Sequence, residues 1–116
     1  MLDTTELTAA VDRLADRLRA APQSRLQRGA AAEGLALARE LAVRSQRIEV
    51  PDREPLIMPE AGIFAVGDQV AVAGHDLAEA LRKSAAEAAT EGPEESRVQL
   101  EAALGLVREA AVRALG

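Results

Sequence analysis

Three prolines within nine residues, Pro51, Pro55 and Pro59 in "IEVPDREPLIMPEAG", divide the 116-residue chain into two halves that continuous secondary structure cannot join. Each proline removes a backbone donor and restricts the residue before it, so at most short edge strands survive, around Ile48 to Val50 and Leu56 to Met58. The segment from about 48 to 61 is therefore expected to be a crossing loop that braces or covers its neighbours.

The half before the prolines reads as two helices. Leu7, Val11, Leu14, Leu18 and Ala21 recur at spacings of 4, 3, 4 and 3, one helical stripe, and Asp3 with Glu6 has capping-box spacing ahead of it. This predicts a helix from about Thr4 to Ala20, stopped by Pro22. "SRLQ" at Ser24 to Gln27 repeats the capping-box spacing and predicts a longer helix to about Gln46, with Leu26, Ala30, Gly34, Leu37 and Leu41 on a broad apolar face. Gly29 and Gly34 each cost about 1 kcal/mol relative to alanine in a helix. Close helix packing is the expectation for both, with a weak helix start as the alternative.

The half after the prolines opens with "GIFAVGDQVAVAG", two short apolar runs at Ile63 to Val66 and Gln69 to Ala73 around Gly67-Asp68, a pair suited to a two-residue turn. A β-hairpin over about 63–73 is expected. Neither run alternates cleanly between apolar and polar, which calls for cover on both faces. Gly74 would then leave the strand, Asp76 and Glu79 would form a capping box, and a helix would run from Leu77 to about Thr90. Gly92, Pro93 and the acids Glu94 and Glu95 match the preferences for a helix end followed by a helix start. A fourth helix carries Leu100, Leu104, Val107, Ala111 and Leu115 on one stripe. Glu109 and Arg113 are spaced for an ion pair along it. The expected fold is thus mainly α within the α+β class: a single domain of four amphipathic helices and a central β-hairpin, in the order α-α-β-β-α-α.

Composition narrows function more than motifs do. Phe64 is the one aromatic residue, and the net charge is -5, so stacking platforms and basic phosphate-binding surfaces are both disfavoured. Zero cysteines remove disulfides and thiolate chemistry. No apolar run reaches the roughly 18 residues of a membrane span, and the first residues do not read as a secretory signal; a cytoplasmic protein with no membrane association is expected. Arginine outnumbers lysine 13 to 1 and alanine fills 26 positions, a bias that reads as a G+C-rich bacterial genome.

His75 is the only histidine, and it stands beside Asp76. Asp could orient the imidazole as a base or ligand, with Glu79 as a further carboxylate, yet no second histidine and no GxSxG nucleophile accompanies them. No catalytic set, metal site or cofactor is expected. The acids Asp52, Glu54 and Glu60 read as a solvated loop. Arg25, Arg28, Arg39, Arg44 and Arg47 read as an ion-paired helix face, with Glu40 four residues before Arg44.

The reading leans away from an enzyme and towards a non-catalytic bacterial interaction or assembly module, homodimeric, with nucleic acid disfavoured as a partner. The alternative is a small-molecule or metal-binding protein with a cleft between the proline-rich loop and the third helix, where Met58, Phe64, His75 and Asp76 would converge.

Overall fold

The computed structural model describes residues 1–88 and 92–116, and among these every regular element is a helix and there is no strand. The long helices are α1 (Thr5–Ala20), α2 (Ala31–Glu49), α3 (Val66–Glu87) and α4 (Glu94–Leu115). A single turn at Gln23–Arg25 and a wide turn at Leu26–Ala30 lead into α2. Gly29 breaks this lead-in with φ +148, and a side chain there would meet no neighbour. It marks the weak helix start, whereas Gly34 is the packing glycine: a Cβ on it would stand 2.7 Å from Val66 Cγ2.

The expected hairpin is replaced by the first half of α3. Val66, Val70, Ala73, Leu77 and Leu81 are all buried, at spacings of 4, 3, 4 and 4, so a single 3.6-residue stripe runs through the two supposed strands. Gly67 and Gly74, which resemble a turn and a strand end, are points where α3 touches α1. A Cβ on Gly67 would lie 2.9 Å from the Ala15 carbonyl oxygen, and one on Gly74 would lie 2.5 Å from Val11 Cγ1. Tertiary packing therefore sets these glycines, and an α-α-α-α order replaces α-α-β-β-α-α.

Several smaller expectations change with it. Asp76 is not a cap but an exposed residue in mid-helix, and Glu79 pairs with Arg82. Ser24 lies inside the lead-in turn and caps nothing. Asp3 accepts the Thr5 N–H at 2.9 Å, while Glu6 faces Arg108 of α4 at 3.5 Å rather than closing a capping box. Arg113 pairs with Glu33 of α2 and not with Glu109. The expected edge strands dissolve, since Ile48 is in the last turn of α2 and Leu56 to Met58 is irregular chain without a ladder partner. The start of α4 matches its signals, with Gly92 at φ +93, Pro93 just ahead and both acids in the first turn. The expected helix end near Thr90 lies outside the described residues.

Contacts fix the helix directions. Gly67 meets Arg19 and Gly74 meets Val11, so α1 and α3 are antiparallel. Arg108 reaches Glu6 and Arg17 reaches the Leu115 carbonyl, so α1 and α4 are parallel. Gly34 abuts Val66, while Ile48 shares a groove with Ala80 and Lys83, so α2 and α3 are parallel as well. Because α3 starts where α2 started, the chain must return along α2, which is 19 residues or about 28 Å long. Residues 50–65, extendable to roughly 50 Å, make that return.

One core joins the elements. Leu7, Leu14, Leu18, Leu41, Leu77 and Leu81 are its largest fully buried side chains, and alanine fills much of the remainder. With no buried aromatic residue, close helix approach supplies the packing density that larger side chains would otherwise provide. No helix among the described residues is long and apolar enough to cross a membrane.

Candidate functional site

The return segment forms a strap along α2, fastened chiefly by polar side chains gripping its main chain. Gln46 both donates to the Leu56 carbonyl and accepts the Leu56 N–H, each at 2.8 Å. Arg39 donates to the Met58 carbonyl at 2.9 Å, and Gln69 of α3 to the Pro59 carbonyl at 3.0 Å. Arg39 and Gln46 are seven residues apart, two turns, so they stand on one face of α2. Glu60 accepts the Gly62 N–H and shapes the turn into α3, where Gly62 has φ +98.

This fastening leaves apolar side chains outside. Met58 and Ile63 pack partly against the core, but Leu56 is 74% exposed, Ile57 63% and Phe64 69%. Prolines at 55 and 59 remove donors on either side of this apolar pair, so the strap cannot serve as a template for β pairing. What it presents outward is side chains.

Next to Phe64 lies a cleft of about 270 Å³ between the strap, the lead-in turn and the beginnings of α2 and α3. Leu26, Ala31, Leu35, Ile63 and Val66 supply apolar walls, with Gln27, Glu60 and Gln69 as polar members. None of Met58, Phe64, His75 and Asp76 lines it. Met58 and Phe64 belong to the strap, whereas His75 points to α1, its Nε2 lying 2.7 Å from Asp12 Oδ1. The two side chains are 50% and 56% exposed, so the pair bridges helices at the surface. Asp76 is exposed one residue further along α3.

The arginines of the α2 segment are distributed among separate tasks. Arg39 holds the strap, Arg44 pairs with Glu40 at 2.7 Å, and Arg25 and Arg28 gather at the opposite end with Arg113. Arg44 and Arg47 also border a cavity of about 380 Å³ with Ile48, Leu77, Ser84 and Gln99, though Glu40 already neutralises Arg44 there.

The sequence points to Phe64 and Met58 but not to the clamp. The available signal was the i, i+7 placement of Arg39 and Gln46, long hydrogen-bonding side chains on a helix beside a proline-rich segment. Leu56 and Ile57 read as an edge strand because exposure of an apolar pair cannot be seen from its alternation. Comparison with protein-family models, with curated proteins and with solved structures returns no match.

Proposed function

We propose that this chain is an interaction and assembly module that associates with its own kind through the strap face. The observation carrying this reading is the outward display of Leu56, Ile57 and Phe64 on a segment anchored by its main chain. Exposed apolar side chains gathered on one segment mark contact surfaces, and aromatic residues dominate the energetics of such contacts. A bacterial setting belongs to the same proposal, supported by the arginine and alanine bias.

Sedimentation velocity across concentrations from about 1 μM to 1 mM, the range of weak interfaces, tests it. The 12.2 kDa species is expected to give way to one of twice the mass. The triple variant Leu56→Ser, Ile57→Ser, Phe64→Ser is expected to keep its helicity and remain a monomer. A wild-type chain that stays at 12.2 kDa throughout overturns the reading.

A further inference from the structure

We infer that the strap face is self-complementary: Phe64 of one copy seats in the cleft beside Phe64 of a second copy, and the exchange is reciprocal about a two-fold axis. This rests on the self-association reading above and adds its mode.

The geometry is that of a projection beside a recess. Ile63 turns inward and forms part of the cleft wall, while the next residue, Phe64, stands out in solvent. Phe64 does not line its own cleft, so the nearest apolar recess stays open to a copy approaching from outside. A surface carrying both parts side by side satisfies the condition for an isologous contact, in which the same patch serves both partners.

The chemistry and size agree with an aromatic occupant. The cleft walls are aliphatic, with Gln27, Glu60 and Gln69 as the polar members, and its volume of about 270 Å³ falls below the ordinary range for drug-sized ligands. Phe64 is the chain's single aromatic residue. A core built without aromatics leaves its only one outside, where burial on association is its largest available gain in apolar contact.

Area sets the expected strength. Leu56, Ile57, Phe64 and the cleft walls, taken on both copies, amount to at most roughly 1,000 Å², the size of weak, transient interfaces. That suits a reversible dimer formed by chains that already fold around their own cores. Each copy has a net charge of -5, so the dimer forms against repulsion and is expected to tighten as salt screens it.

Complementation tests the reciprocity. Phe64→Ala removes the projection and keeps the recess. Ala32→Phe, at an exposed position on the cleft wall, fills the recess and keeps the projection. Homodimers of either variant lose both contacts, whereas a mixed dimer retains one. With about 30-fold per contact, a usual aromatic hot-spot loss, either variant alone should weaken the dimer about 1,000-fold and the equimolar mixture only about 30-fold. Circular dichroism confirms that both fold, and Phe64→Trp supplies an independent readout, since the chain has no other Trp or Tyr. The indole emission of that variant should shift to the blue as concentration rises. A wild-type chain that dimerises while the mixture shows no recovery, or an indole emission indifferent to concentration, overturns the insertion and leaves self-association standing. A wild-type chain that never dimerises overturns both.

Discussion

Replacing Gly74 by alanine should destabilise this protein even though the same change elsewhere in the bundle should stabilise it. A helical glycine costs about 1 kcal/mol relative to alanine, so propensity alone favours the substitution. At position 74, however, the new methyl would stand 2.5 and 2.6 Å from the two γ-carbons of Val11 and 3.1 Å from its Cβ. Val11 is fully buried, and its β-branched side chain has little rotamer freedom in a helix. The clash must then be relieved by parting α1 from α3, and overpacking of this kind costs about 1–3 kcal/mol. The net expectation is a loss of up to about 2 kcal/mol, the clash outweighing the propensity gain. Gly105 in α4 is the control, because a Cβ there meets nothing within 4 Å. Gly105→Ala should gain about 0.5–1 kcal/mol. Urea unfolding followed by helical ellipticity, at one protein concentration, would report midpoints on opposite sides of wild type, and melting temperatures separated by roughly 2–12 °C. Val11→Ala makes room, so Gly74→Ala in that background should cost at least about 1 kcal/mol less than in wild type. If Gly74→Ala and Gly105→Ala shift stability in the same direction, the close approach of α1 and α3 is refuted.

Gln46→Ala removes both bonds to Leu56 and should cost about 1–2 kcal/mol, with residues 52–58 becoming the first site of proteolytic nicking; unchanged protection would mean the strap does not depend on the clamp. Asp12→Asn and His75→Ala break an exposed cross-helix pair and should each change stability by less than about 1 kcal/mol by urea unfolding; a loss of several kcal/mol would show the pair to be more than a surface bridge. The Thr5 hydroxyl and N–H hold the Asp3 carboxyl below the usual carboxylate range. A depressed acid contributes stability above its unfolded pKa of about 3.9 and loses it as pH falls through the lower, folded value. Asp3→Asn should therefore lie below wild type in stability at neutral pH and converge with it in strong acid, as a pH series of thermal melts would show.

The legible and illegible parts of this chain differ for a physical reason. Leu7 to Leu18 and Leu100 to Leu115 announce their helices because large aliphatic residues fall on one stripe and caps or prolines bound them. Residues 63–81 carry an equally regular stripe, but Gly67 and Gly74 interrupt it with the two residues that locally signal turns. Their true cause, contact with Ala15, Arg19 and Val11, is more than 45 residues distant in sequence. The proline-rich crossing could be read from its breakers, while its direction along α2 depends on the parallel pairing of α2 and α3, a tertiary fact. At the site, Phe64 was visible as the lone aromatic; the cleft beside it was not, because Leu26, Leu35 and Val66 come from three separate segments. His75 stands out in the sequence by its chemistry, whereas its contact with Asp12 is set by the way α3 lies on α1.

The clamp on the strap has an evolutionary consequence. Gln46, Arg39 and Gln69 grip carbonyls and an N–H, groups that nearly every amino acid presents alike. Under the proposal above, substitutions at Leu56 and Ile57 therefore alter the contact surface while the fastening beneath stays intact. On that proposal the bundle is a mount and the strap its interchangeable face, so descendants of this chain can diverge in what they contact without refolding to do so.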